Sequence, residues 1–196
     1  EPCTNDYIIM LGILIGLKYL ESKNILNTQL YPDNIYLDDN FYPIISQYAS
    51  HRFIYDVSGV DIKIPQNIIW YSPLETLVDD AYTNKSLVYI YSLIVYQLLT
   101  KLIPYEKMRK KSVFVHARML SKGGRPDVSR IKNQAVLNFF ESSFDAKPEN
   151  RMSLDEIFDM ITNAEFYSYF ENFDKSLVIK YLDIFGDEFS HLKSKF

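Results

Sequence analysis

Leu26-Asn27-Thr28-Gln29-Leu30-Tyr31-Pro32-Asp33-Asn34 stands between a helical stretch and a hairpin, and its reading decides the fold. On its upstream side, Thr4-Asn5-Asp6 can cap a helix whose apolar positions run from Ile8 to Leu20 and on to Ser22. Gly12 and Gly16 lie inside that helix. A glycine there costs roughly 1 kcal/mol against alanine, so the pair suggests a close approach by another element. On the downstream side, Asn34-Ile35-Tyr36-Leu37 and Tyr42-Pro43-Ile44-Ile45 flank Asp38-Asp39-Asn40, the pattern of a small β-hairpin. Pro32-Asp33-Asn34 reads as a turn leading into the first strand.

Farther along, the span from Gln47 to Asn67 has no strong period and reads as a long surface loop. Ser86 to Thr100 is apolar almost all round, the mark of a helix buried on most faces, and Pro104 stops it. The spacing predicts a charged, exposed helix from Lys107 to Ser121, ended at Gly123-Gly124. It predicts further helices over Ile131–Ser142, Leu154–Ile161 and Ser176–Phe185. The expected fold is mainly α with one small β-hairpin.

The chain has 196 residues, 47% of them apolar and 23% charged, which is a globular composition with enough length for one sizeable core. A formal charge of −4 supplies no field that would gather nucleic acid or an anionic membrane, and neither is expected as a partner. Cys3 is the only cysteine, so there is no intrachain disulfide and no cysteine metal cluster; a reducing, cytoplasmic setting is expected. The start, Glu1 to Asp6, is polar and acidic where a secretory leader would be basic. The uncharged stretches Tyr7–Leu17 and Ser86–Thr100 are both shorter than the ~20 residues that cross a bilayer.

Six segments, in order, resemble the C-terminal lobe of a eukaryotic protein kinase. Residues Asn27 to Asn34 look like the catalytic loop, His-Arg-Asp-Leu-x-x-x-Asn. Gln47-Tyr48-Ala49 stands where the family has Asp-Phe-Gly, and Trp70-Tyr71-Ser72-Pro73-Leu74-Glu75 resembles the Ala-Pro-Glu segment with one extra residue. Lys85 to Ser92 looks like the start of the buried central helix, and Pro104-Tyr105 like its end. Gly124-Arg125-Pro126 and Pro148-Glu149-Asn150-Arg151 match the closing helices. The resemblance implies a kinase-like C-terminal lobe over residues 1–165, nearest the tyrosine-kinase-like branch, followed by a helical extension over 166–196. No Gly-x-Gly-x-x-Gly and no Val-Ala-Ile-Lys strand occurs, and only 26 residues precede Asn27, so the N-terminal β lobe is expected to be absent.

The resemblance also implies what each departure removes. Phosphoryl transfer uses a carboxylate to orient the acceptor hydroxyl and take its proton, and Gln29 stands there instead. Gln47 replaces the acid that holds Mg²⁺, and a neutral carbonyl is a poor ligand for that cation. Tyr31 replaces a phosphate-contacting lysine, Asn27-Thr28 replaces His-Arg, Leu87 a loop-anchoring aspartate and Ala49 a glycine. Asn34 matches the family's metal-binding asparagine, but beside Gln47 it reads rather as a turn residue and a vestige. Glu75 and Arg151 match a structural ion pair, against the plain reading of two unrelated surface charges.

These losses lead to the expectation of a non-enzyme: a catalytically inactive lobe with no cofactor and no ATP, working as a protein-interaction or scaffold module. Gln29, Tyr31, Asn34, Gln47 and Tyr48 are expected to form an exposed, partly apolar face where a partner docks. One alternative is a divergent serine/threonine or tyrosine kinase fragment that binds ATP and uses Asp33 or Asp38; the other is a decayed gene product without a role. His51, His116 and His191 have no ligand spacing and read as surface or locally bonded residues. The run Lys107-Met108-Arg109-Lys110-Lys111 could touch an acidic partner, though such runs are more often solvated. The 16 tyrosines and 13 phenylalanines are expected mostly in the core.

Overall fold

The computed structural model describes residues 2–47, 68–186 and 190–196. Helix α1 (Thr4–Ser22) begins after Cys3, whose backbone N–H donates to the Asp6 carboxylate at 3.0 Å. The hairpin follows as β1 (Ile35–Leu37) and β2 (Pro43–Ile45), antiparallel, with Ile35 opposite Ile45 and Leu37 opposite Pro43. Asp38 Oδ1 accepts from the N–H groups of Asn40 and Tyr42, both at 2.8 Å, so this carboxylate closes the turn. The two glycines of α1 are explained here. A Cβ on Gly12 would sit 2.2 Å from Tyr181 Oη and 2.4 Å from Pro43 Cγ, and one on Gly16 would sit 2.8 Å from Ile45 Cδ1. The hairpin therefore lies on α1 backbone.

The second long helix, α3 (Asn84–Thr100), comes after a short helix α2 (Leu74–Asp79) and is buried on nearly every face. It starts three residues after the left-handed Asp80, with Thr83 Oγ1 accepting from Ser86 N–H. It ends at a left-handed Lys101, three residues before the buried Pro104. Tyr91 Oη of α3 donates to Met10 O of α1 at 3.0 Å, joining the two helices at the centre of the core.

The charged segment behaves differently from the expected single helix. Glu106–Met108 form only a 3₁₀ turn, and α4 covers Val113–Ser121, because Ser112 caps it by accepting from Val115 N–H at 3.4 Å. Helices α5 (Gln134–Ser143) and α6 (Leu154–Ile161) follow, capped by Asn133 and Ser153. Three short helices complete the chain: α7 (Ala164–Tyr167), α8 (Lys175–Leu182) and α9 (Ser190–Lys193). Phe139, Phe140, Phe144 and Phe166 fill the space between α5, α3 and α7, with ring centroids 5.1–6.2 Å apart. Residues beyond 165 pack into this same core through Phe166, Phe170, Val178, Tyr181 and Leu182. No helix among the described residues is long and apolar enough to cross a membrane.

Candidate functional site

The loop between α1 and β1 is built around the peptide groups of Gln29. Its N–H donates to Asn27 Oδ1 at 2.9 Å, and its carbonyl accepts from Asn34 Nδ2 at 2.9 Å. Asn34 in turn receives Ser46 N–H and Ser46 Oγ–H on its own carbonyl, at 2.9 and 3.0 Å. One asparagine thus ties the loop to the residue that follows β2. Asn27 is fully buried and Asn34 is 2% exposed. Both hold backbone groups that would otherwise be desolvated without partners.

Two expectations about this loop require correction. Asn34 is more than a turn residue, since its amide is a buried brace. Nor do the named residues form an open apolar face: Tyr31 is buried as well, and of the set only Gln47 is fully exposed among the described residues. The reason is geometric. The hairpin folds back on α1 at Gly12 and Gly16, so the loop leading into it is drawn inward. Burial and the nearby negative charge of Asp33 push the Tyr31 phenol pKa up, so its hydroxyl stays neutral. Tyr48 and Ala49, the rest of the span to residue 67, and His51 lie outside the described residues, as does the side chain of His191.

Leu87, where the family has an anchoring aspartate, is a buried core residue. The Asn27 side chain accepts the bond from within the loop itself, two residues before Gln29. That spacing is a recognisable Asx turn, and it was the missed signal in the sequence.

The structure places Arg151 against Glu75 as a two-pronged pair, Nη1 to Oε1 at 2.6 Å and Nη2 to Oε2 at 3.0 Å. The guanidinium is 1% exposed and the carboxylate 13%. Arg151 Nε also donates to Asp145 O at 2.9 Å, Nη1 to Lys85 O at 3.0 Å, and the guanidinium carbon lies 4.9 Å from the Tyr89 ring centroid. Ser86 Oγ donates to Glu75 Oε1 at 3.0 Å. The pair locks α2 to α3 and to the 3₁₀ turn Pro148–Asn150, with its hydrogen bonds satisfied on both sides. The extra residue before Glu75 is absorbed by the 3₁₀ turn Ile68–Tyr71, where Ser72 Oγ donates back to Ile68 O at 3.1 Å.

Fixing α2 in this way forms a cavity of about 150 Å³ beside the loop, lined by Gln29, Ser72, Thr76, Asp80 and Tyr82 among others. Ser72 and Thr76 both spend their protons on backbone carbonyls, Thr76 on Ala81 O at 2.9 Å, which leaves their oxygens as acceptors. The Tyr82 hydroxyl is buried without a hydrogen-bond partner among the described residues, and burial pushes its pKa far up. Asp80 brings a carboxylate to the same cavity as Gln29, from 51 positions along the chain. Nothing local in the sequence points to it. The two acids weighed earlier are placed elsewhere: Asp38 closes the hairpin turn, and Asp33 is exposed beside Tyr31.

His116 is also misplaced by sequence alone. It has no exposed surface and lies between Trp70 and Tyr105, at 5.1 and 5.0 Å between ring centroids. Neither ring nitrogen has a hydrogen-bond partner among the described residues. Burial lowers its pKa to about 4, and it is neutral.

A family model described as protein tyrosine and serine/threonine kinase matches residues 4–161, most of the chain. The chain belongs to that family. Its sequence is 27% identical over 147 residues to the RGS domain-containing serine/threonine-protein kinase A of Dictyostelium discoideum, covering 75% of this chain and 12% of that protein. It is 24% identical over 161 residues to the dual specificity protein kinase shkB of the same organism, covering 79% of this chain and 25% of that one. The chain therefore spans a quarter or less of these relatives.

This membership overturns the expectation of a non-enzyme. Replacing two acids is a local change, and the cavity beside Gln29 holds another carboxylate. The magnesium site is a separate matter. Asn34 and Gln47 offer neutral amide oxygens, and no cluster of three or more His, Cys, Asp or Glu that could hold a metal occurs among the described residues. That donor set does not fit Mg²⁺, which favours carboxylate and phosphate oxygens.

Proposed function

We propose that the chain serves as the protein-acceptor lobe of a kinase-family domain in phosphoryl transfer to a protein hydroxyl. In this reading a serine, threonine or tyrosine side chain of the bound protein enters the cavity beside Gln29. The Asp80 carboxylate accepts its proton, and the buried Tyr82 hydroxyl donates a hydrogen bond to the oxygen that enters. Gln29 orients the hydroxyl without taking its proton, since an amide has no basicity at neutral pH. The Arg151–Glu75 pair keeps α2, and with it Asp80, at a fixed distance from the loop.

The observation that carries this reading is that Gln29 and Asp80 line one cavity. Positioned proton transfer contributes about 10²–10⁴-fold to a rate, so a single carboxylate matters. The test is transfer of labelled phosphate from ATP to a mixed protein substrate by the full chain. Asp80→Asn lowers the rate at least about tenfold, and Gln29→Asp raises it and removes its dependence on Asp80. An unchanged rate in folded Asp80→Asn, or no transfer even with Gln29→Asp, overturns the proposal.

A further inference from the structure

The most basic stretch of the chain surrounds α4. From Lys107 to Lys122 there are six lysines and arginines and no acid, in a chain whose net charge is −4. Arg109 is taken up by Tyr71, its Nη2 3.5 Å from the phenol oxygen and its guanidinium 5.7 Å from the ring centroid. The other five cations are exposed, and none pairs with a carboxylate among the described residues. Apolar groups are exposed in the same place: Val113, Phe114 and Val115 at the start of α4, with Phe114 75% exposed.

The surface is concave there. A groove of about 370 Å³ is lined by Met108, Val115, Met119, Gly124, Arg118 and Lys122. Three of these walls are apolar side chains, two of them flexible thioethers that reshape around an inserted group. Two are cations on the same side of α4, since Arg118 and Lys122 are four positions apart. Gly124 sets the depth of the groove. A Cβ there would come 2.0 Å from Met119 Sδ, so the sulfur now lies against bare backbone.

We propose that this groove docks an acidic peptide segment, with one large apolar side chain seated between Met108, Val115 and Met119 and flanking carboxylates on Arg118 and Lys122. Charge complementarity selects the acid, and the concave apolar floor selects a peptide over a flat anionic membrane. Lys107, Lys110 and Lys111 extend the positive field and speed the encounter. The site is distinct from the cavity beside Gln29, requires no nucleotide, and stands whether or not the chain transfers phosphate.

The test is fluorescence anisotropy on the full chain without nucleotide. The probe is a labelled peptide of alternating glutamate and leucine, set against an all-glutamate peptide of equal charge and against phosphatidylserine vesicles. The glutamate–leucine peptide saturates, at least tenfold tighter than the all-glutamate peptide, and weakens steeply with salt. Arg118→Glu with Lys122→Glu weakens it at least tenfold while the thermal melt is unchanged, and Val115→Asp does the same. Equal affinity for the all-glutamate peptide shows a charge cluster without a groove and overturns the proposal. So does binding unaffected by the double reversal, or binding to vesicles without peptide selectivity.

Discussion

Replacing Arg151 by methionine keeps most of the stem volume and removes the guanidinium, which isolates the polar contribution of the pair. Arg151 makes two bonds to Glu75, one to Asp145 O and one to Lys85 O, with its charge over the Tyr89 ring. After the change, the Glu75 carboxylate keeps only the Ser86 hydroxyl among these partners. Breaking a buried pair by removing one partner costs about 3–5 kcal/mol. The 13% exposure of Glu75 gives its charge some access to water, and the loss of a donor to Asp145 O costs roughly another 1 kcal/mol. The expected loss is about 4 kcal/mol. Glu75→Gln costs less, about 2 kcal/mol, because Arg151 retains both carbonyls and the ring. The double variant is then more stable than the sum of the singles by roughly 1–3 kcal/mol, which is the coupling itself. Urea unfolding followed by circular dichroism measures all three. A loss under about 1 kcal/mol for Arg151→Met, or strict additivity, refutes the view that this pair fixes α2.

Two further outcomes follow from buried groups. His116 is neutral in the fold, its pKa lowered from 6.5 to about 4, while the unfolded chain takes up the proton near its ordinary value. Its contribution is therefore fully present above about pH 6.5 and is lost as pH falls toward 4, up to about 3 kcal/mol; His116→Phe removes this slope from stability measured across that range, and an unchanged slope contradicts it. Gly12→Ala destabilises although alanine gains about 1 kcal/mol of helix propensity, because its methyl group meets Tyr181 Oη and Pro43. Tyr181→Phe recovers part of that loss in thermal melts, and a stabilised Gly12→Ala alone shows that the contact yields freely.

The helices were legible where one residue type repeats. α1, α3 and α6 need only apolar spacing and a cap, and the hairpin needs only two β-prone runs around an acidic turn. Ser112 was equally legible as a cap, but the lysine run on its N-terminal side masked the break. The tertiary placement of single polar residues was not legible. Asn34 is buried because the hairpin lies on two glycines of α1, and His116 because Trp70 and Tyr105 arrive from 46 and 11 positions upstream. Glu75 and Arg151 could be paired in advance only through family resemblance, since 76 residues separate them. Asp80 entered the site through the fold alone. The losses at Gln29 and Gln47 were plain in the sequence, yet family membership rests on many positions and outweighs the inference drawn from those two.

Tyr7, near the start of α1, holds its ring edge-on to Phe170, Phe173 and Phe196, at 4.9–6.0 Å between centroids. Beside it, Thr4 Oγ1 accepts from Asp174 N–H at 2.9 Å, and Glu171 N–H donates to Pro2 O at 3.0 Å. More than 160 residues lie between these partners, so the loop they close is nearly the whole domain. On the ribosome, at roughly 5–20 residues per second, the first helix waits several seconds or more for the rings that cover it. Its apolar flank faces solvent, or a chaperone, for that interval. Translation speed and chaperone supply, more than final stability, then govern how much of this protein escapes aggregation during synthesis.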